Sequence, residues 1–321
     1  MSADPTFPDF SRDPRAWVGA ALPEDAWRMR VPAGCVEELE EAVRDIERNP
    51  LPLLLLDPDE YRLEQCRRLV GEARRRLDAG PGVVLLDRIP VERWTRPRVE
   101  GVFWLLGCLL ARPVVQTFDG KILVEVTDTG VPKRIGVRGF RTNAPQPPHV
   151  DNSFNHRPPD YVSLLSLAPA KEGGVSHFIS FLAVHERLRV ERPDLLERLY
   201  EPFYQDRQGD FWPGEPQTVR YPVYRSAPDL RCRYTHFTIP AGYVTAGEPF
   251  TGRTRAAFEA MTALVQDPSL YCRFLMQPGE FQIVNNRYCG HGRTAYVDDP
   301  ERPRVLLRLW HRNTGRRSYD G

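Results

Sequence analysis

The segment His149-Val150-Asp151 sets an imidazole and a carboxylate two positions apart. On a strand, residues i and i+2 point to the same face, so both side chains would enter one cavity. Alone, such a triplet is also what a surface ion pair looks like. A third group lies far along the chain: His291, in NNRYCGHGRTAYVDD, follows the apolar run 281–284 and precedes a glycine-containing turn. Two imidazoles and one carboxylate form the ligand set that holds Fe(II) and leaves positions open for substrates. The same three ligands suit Zn2+ in a hydrolase, so the triad names no metal by itself. Further on, Arg304 and Arg308 lie in Arg-Val-Leu-Leu-Arg-Leu-Trp. That polar–apolar register suits a strand with one arginine facing inward, where a guanidinium is tolerated only beside a carboxylate.

These groups need a scaffold. Residues 36–48 carry Val36, Leu39, Val43 and Ile46 at helical spacing. Residues 59–78 predict a second helix, with Gly80 as its stop, and 99–110 a third, mostly buried one. A short strand is expected at 83–86, and 1–30 read as an irregular arm. After Pro113 the texture changes. Runs 114–118 and 122–126 flank Asp119-Gly120, a hairpin signal. Further β-rich runs follow at 161–167, 176–180, 218–224, 232–238, 281–285 and 305–311, interrupted by helices over 183–200 and 254–267. Short strands between Pro/Gly turns predict a mainly β fold with flanking helices (α+β), a sandwich or jelly roll with the N-terminal helices covering one sheet face. We expect a single catalytic domain over 1–321: a helical covering part at 1–112 and a β core at 113–312 with an insertion over 183–270.

With 41% hydrophobic and 27% charged residues, the 321-residue chain has enough apolar material for a sizeable core, which excludes wholesale disorder. Lys+Arg is 44 and Asp+Glu is 43, so no general electrostatic reason exists to bind nucleic acid or an anionic membrane; a small-molecule partner is expected. The only lysines are Lys121, Lys133 and Lys171, a bias that fits a GC-rich genome. No apolar run approaches the ~20 residues of a membrane span. The acidic, Pro-interrupted N-terminus does not read as a signal peptide, so a cytoplasmic location is expected. The six cysteines, Cys35, Cys66, Cys108, Cys232, Cys272 and Cys289, show no CxxC pair and read as buried free thiols.

Several of these segments together resemble one family. PHVDNSF, PPDYVSLLSLAPAKEGGVS and PGEFQIVNNRYCGHGRTAYVDDPERPRVLLRLWHR, in this order, are similar to the TauD/TfdA (taurine-dioxygenase-like, clavaminate-synthase-like) branch of the Fe(II)/2-oxoglutarate-dependent oxygenases. The resemblance covers roughly residues 116–312. It implies a double-stranded β-helix core, with His149, Asp151 and His291 as iron ligands. It also implies that Ser176 and Arg304 hold the distal carboxylate of 2-oxoglutarate. Arg308 matches a second arginine, which in relatives reaches a carboxylate or the substrate; because the spacing after His291 varies, Arg308 and Arg302 stay open as alternative anchors. The cofactors implied are Fe(II), 2-oxoglutarate and O2. The implied activity is oxidation of a substrate C–H bond, with succinate and CO2 formed. The carboxylate at Asp151 favours hydroxylation over halogenation, while desaturation or cyclisation stays open. Relatives also form dimers or larger assemblies, so a homo-oligomer is an open expectation.

Substrate contacts should come from loops near the triad. Candidates are Arg141 and Asn143 upstream, Asn152, Ser153 and Phe154 just after the ligands, and Arg293, which would either bind substrate or brace its loop. An amino-acid-like molecule or a secondary metabolite would suit an arginine-rich rim. The remaining histidines, His156, His177, His185, His236 and His311, read as structural. Asn285 and Asn286 read as fixing loop backbone, and Gly290 and Gly292 as permitting close approach of backbone. The segment 203–215 is either a lid or an ordered surface loop.

Overall fold

In the computed structural model, which describes residues 7–226 and 230–320, the apolar alternation of four central strands sets the layering. Val83–Leu86, Phe281–Asn285, Tyr161–Ala168 and Val305–Arg312 lie side by side in that order in a seven-stranded sheet. Their pairings with one another are antiparallel, whereas Arg28–Met29 joins Val83–Leu86 in parallel at the edge. Side chains alternate across a sheet. Leu85, Val162, Val284, Leu306 and Trp310 therefore enter one core, between this sheet and a second one. Leu86, Tyr161, Ile283, Leu307 and Leu309 enter the other, beneath three helices. Those helices, Ala33–Arg48, Glu64–Ala79 and Arg96–Leu110, cover one face of the sheet as the sequence predicts. The second sheet has four strands, in the order Cys272–Phe274, Ser176–Ser180, Cys289–Arg293, Gln146–His149. Among the described residues no helix is long and apolar enough to cross a membrane.

Several boundaries differ from those read in the sequence. The Asp119-Gly120 turn forms, with Gly120 N–H donating to Thr117 O (3.0 Å) and Gln116 N–H to Lys121 O (2.7 Å). Yet the flanking strands, Arg112–Val114 and Leu123–Val126, do not pair with each other. Both lie end to end along one edge of Val305–Arg312, whose eight residues offer more pairing length than a short hairpin arm. The second helix begins at Glu64, not 59: Pro58–Glu60 is a separate turn, and the buried carboxylate of Glu38 accepts Gln65 N–H (2.8 Å) and Cys66 N–H (3.0 Å) at the helix start. The helical stretch 183–200 is two helices, Phe181–Glu191 and Pro193–Leu199, because Pro193 cannot donate within a continuous helix but is suited to opening a new one. The strand expected over 232–238 ends at Cys232. Thr238–Ala246, of which only Thr238 fell within the expected strand, is a helix, with Pro240 in its first turn and left-handed Gly247 (φ 68°) ending it. Val223 splits the run 218–224 into Thr218–Pro222 and Tyr224–Arg225.

The expectation of six free thiols is corrected as well. Cys35 and Cys66, facing each other from neighbouring helices, form a disulfide with Cα atoms 4.9 Å apart, while Cys108, Cys232, Cys272 and Cys289 are free. The irregular arm contains a helical turn, Glu24–Trp27, and the edge strand Arg28–Met29; its first six residues lie outside the described ones.

Candidate active site

Strand register brings the two imidazoles together. His149, the last residue of its strand, is the direct cross-strand partner of His291, within Cys289–Arg293. Directly opposed residues of an antiparallel pair share a face, and the two rings lie 4.7 Å apart between centroids. Gly292 lets these strands meet: a Cβ there would sit 2.5 Å from Gln146 O and 2.8 Å from Pro148 N. Asp151, contrary to the i, i+2 strand expectation, lies beyond the strand end in a turn. It nonetheless reaches the same point, and the chain turns away after it through Asn152, whose left-handed backbone (φ 58°) Asn tolerates better than most residues. Asn286 fixes that turn, its Oδ1 accepting Asp151 N–H (2.8 Å) and its Nδ2 donating to Asp151 O (3.0 Å) and Pro159 O (3.1 Å). Arg233 braces the next residues by donating to the carbonyls of Ser153, Asn155 and His156.

His149, Asp151 and His291 each offer one ligand atom, and these atoms lie within 4.8 Å of one another. Asp151 Oδ1 sits 3.3 Å from His149 Nε2 and 3.8 Å from His291 Nε2. The ring of His149 is oriented from behind, its Nδ1 lying 3.0 Å from Pro147 O, which leaves Nε2 as the free donor pair. Burial pushes the His291 imidazole down to about 3, so it is neutral and able to ligate at neutral pH. Burial pushes the Asp151 carboxyl up, but the Arg308 guanidinium, the His149 hydrogen bond and the closeness of the two imidazoles outweigh it, leaving the group well below the ordinary carboxylate range. Its Oδ2 accepts from Arg308 (3.0 Å) and from Trp310 Nε1–H (2.6 Å).

The two arginines are thereby separated by role. Both, not just one, point inward to a cavity, Arg308 from within Val305–Arg312 and Arg304 from the residue before it. Arg308 is committed to Asp151 and to Gln116 Oε1 (2.8 Å). Arg304 is 4% exposed, packs over the Tyr296 ring and, among the described residues, makes no ion pair and leaves a buried guanidinium nitrogen without a partner. It lines a narrow cavity together with Ser176, His291, Asp151 and Gly292. A buried cation without an anion is unstable, so this slot is shaped for a small carboxylate placed beside the three ligand atoms. That is the fit expected of a keto diacid spanning metal and Arg304–Ser176; Arg302, on the exposed turn before the strand, does not line it.

A larger cavity of about 570 Å3 opens on the other side of His149 and Asp151, within the ~300–1,000 Å3 of ligand sites. Asn152, Ser153 and Phe154 line it, as expected, whereas Arg141 and Asn143 are exposed and line neither cavity. Their short turn points outward because Arg293 holds its carbonyls. The Arg293 guanidinium donates to Thr142, Asn143, Ala144 and Thr294, so it braces the loop and does not reach the large cavity. His236, read as structural, lines the large cavity instead. The other buried histidines are structural: His177 stacks on Tyr271, while His185 and His311 bond Tyr200 and Ser163 hydroxyls. The 203–215 segment is the end of a hairpin, Pro202–Asp206 with Thr218–Pro222, whose Asp206 and Gln208 form part of the cavity wall. The sequence reading missed the loop 133–140, which supplies Lys133, Arg134, Arg138 and Phe140 to that wall. Its glycines and exposed charges looked like an ordinary connection, and no periodicity marked it.

Two sheets enclosing a His–Asp–His cluster beside a buried arginine that makes no ion pair with any described residue define a centre for a divalent metal and a carboxylate cosubstrate. The profile of the Taurine catabolism dioxygenase TauD, TfdA family matches residues 51–310, and the chain belongs to that family. It is accordingly an Fe(II)- and 2-oxoglutarate-dependent oxygenase using O2, and the zinc-hydrolase alternative falls away. It is 30% identical over 310 residues to FR-33289 synthase of Streptomyces rubellomurinus, covering 92% of this chain and 88% of that one. It is 28% identical over 177 residues to a uridine-5'-phosphate dioxygenase of Streptomyces sp, covering 54% of this chain and 64% of that one. The structure of asparagine oxygenase in complex with Fe(II), 2S,3S-3-hydroxyasparagine and succinate superposes with a TM-score of 0.67 at 19% identity, over 89% of this chain and 94% of that one.

Proposed function

We infer that this chain hydroxylates an unactivated C–H bond of a small, anionic, amino-acid-like or secondary-metabolite substrate. His149, Asp151 and His291 hold Fe(II); Arg304 with Ser176 holds the far carboxylate of 2-oxoglutarate, and the two sheets form a double-stranded β-helix working as one catalytic unit. Fe(II) and 2-oxoglutarate, when bound, supply O2-dependent oxidation of a C–H bond, with succinate and CO2 as the other products. The chain's own residues do the rest. The Arg304 guanidinium and Ser176 hydroxyl fix the cosubstrate's tail by charge-assisted hydrogen bonds. Arg308 and Trp310 keep one oxygen of Asp151 occupied, so that the other faces the metal. The apolar side chains of Phe140, Phe154 and Trp310, all lining the large cavity, keep water from the reacting carbon. Two relatives are named for small molecules that carry an anionic group, a uridine-5'-phosphate dioxygenase and an L-asparagine oxygenase, which supports the reading.

The observation that carries the reading is the unpaired buried Arg304 beside three converging ligand atoms. The test is anaerobic addition of 2-oxoglutarate to the Fe(II)-loaded protein, which should produce a visible charge-transfer band. Arg304→Gln should raise the 2-oxoglutarate concentration needed by about 10–100-fold, and His149→Ala should abolish the band. An Arg304→Gln protein with unchanged 2-oxoglutarate affinity would overturn the assignment.

A further inference from the structure

Of the four cations that line the large cavity, two are already neutralised. Arg308 pairs with Asp151, and Arg138 pairs with the buried carboxylate of Asp210. The other two, Lys133 and Arg134, are sequence neighbours on the loop 128–139 and make no ion pair with any described residue. The loop that carries them is held in place. Thr127 and Thr129 N–H donate to Phe140 and Arg141 carbonyls, and the Arg138–Asp210 pair ties its far side to the 203–215 hairpin, where Tyr319 also donates to Asp210 (2.6 Å).

Lys133 is half-buried, its ammonium 3.1 Å from the centre of the Phe237 ring and donating only to Pro145 O (3.2 Å). Burial, with the positive charge of Arg293, pushes it down to about 8. The residues on either side of Phe237 carry polar atoms that have no partner although they are buried: His236 Nδ1 and Thr238 Oγ1. Both residues line the same cavity. The one lining carboxylate not paired with a cation, Asp206, is turned to its own surroundings, accepting Gln208 N–H (2.7 Å) and Thr245 Oγ1–H (2.7 Å).

We propose that Lys133 and Arg134, with His236 and Thr238, form a head-group subsite that binds the phosphoryl dianion of the substrate. This rests on the oxygenase reading only in taking the large cavity for the substrate chamber. An ammonium point charge and a guanidinium fork, unopposed by acids, match a doubly charged group with three acceptor oxygens. A carboxylate would neutralise one of them and leave the other unmatched. Phe237 and Ile135 are partly exposed and mark the mouth, whereas Arg308, Phe140 and Trp310 stack together at the metal end. A substrate anchored by its phosphoryl group at the mouth would extend inward and present its chain, not its head group, to the three ligands.

The low lysine content gives a direct test. The 321-residue chain, free of iron and 2-oxoglutarate, is acylated at its amines with acetic anhydride, and labelling of Lys121, Lys133 and Lys171 is followed by peptide mass spectrometry. Phenyl phosphate should protect Lys133 and neither other lysine, and benzoate should need a concentration about tenfold higher. Arg134→Met should weaken protection by phenyl phosphate by about tenfold while leaving the thermal midpoint unchanged. Equal protection by benzoate would overturn the phosphoryl assignment, and labelling of Lys133 indifferent to both ligands would overturn the subsite. Because neither iron nor 2-oxoglutarate is present, the outcome is independent of the charge-transfer test of the oxygenase reading.

Discussion

Trp310 is 1% exposed and donates its indole N–H to Asp151 Oδ2 at 2.6 Å. Arg308 donates to the same oxygen at 3.0 Å. Together they decide which carboxylate oxygen faces the imidazoles: Oδ1, 3.3 Å from His149 Nε2. Trp310→Phe keeps an aromatic ring in the core but removes one of the two donors. A hydrogen bond to a charged group contributes about 1.5–3 kcal/mol. If most of that free energy holds the carboxylate in its ligating orientation, metal affinity should fall by about 10–100-fold, the range seen when groups behind metal ligands are removed. The assay is calorimetric titration of the apo-protein with Fe(II) under anaerobic conditions, alongside the thermal midpoint of the apo-protein. The smaller ring also leaves a void, so some loss of apo stability is expected in any case. The reasoning fails if the apo midpoint drops while metal affinity stays within twofold of the parent. In that case Trp310 is only packing, and Arg308 alone sets the carboxylate.

Other perturbations follow from the same geometry. Gly292→Ala would place a methyl 2.5 Å from Gln146 O, prising the two histidine-bearing strands apart. It should destabilise the fold by about 1–3 kcal/mol in urea titration and weaken metal binding more than Gly290→Ala. Glu38→Ala removes the carboxylate that receives two N–H groups at the start of Glu64–Ala79, and should lower stability by about 0.5–2 kcal/mol without changing metal affinity. His177, His185 and His311 are each pushed down to about 4 by burial. Between pH 6.5 and 4 the unfolded chain binds protons that the folded one does not, so stability should fall as pH falls through that window, by up to about 1.4 kcal/mol per pH unit for each histidine. A flat urea midpoint between pH 6.5 and 5 would contradict this. Alkylation of the denatured protein should count two more thiols after reduction than before, from Cys35 and Cys66.

What was legible in the sequence was whatever periodicity or local chemistry marks. The strands Val83–Leu86, Ser176–Ser180 and Phe281–Asn285 have the ends their apolar runs predict, and each is buried along its whole length. The ligand trio was legible because residue type restricts metal chemistry so strongly. Its geometry was less so: Asp151 lies past the strand end, in a turn held by two hydrogen bonds with the Asn286 side-chain amide, which strand alternation does not foresee. The division of labour between Arg304 and Arg308 was suggested only by the family resemblance, and residue type and spacing left it open. They are four residues apart, Arg308 within Val305–Arg312 and Arg304 just before it, and both line the narrow cavity. What separates them is which has an acid opposite, and that depends on Asp151 arriving from a segment more than 150 positions away. The same holds for the cavity wall at 133–140. A loop with no repeat and no apolar stripe carries no sequence signal of what it faces. Its two unpaired cations acquire meaning only once Arg138 and Arg308 are seen to have taken their carboxylates, leaving Lys133 and Arg134 as the positive charge still to be met by a ligand.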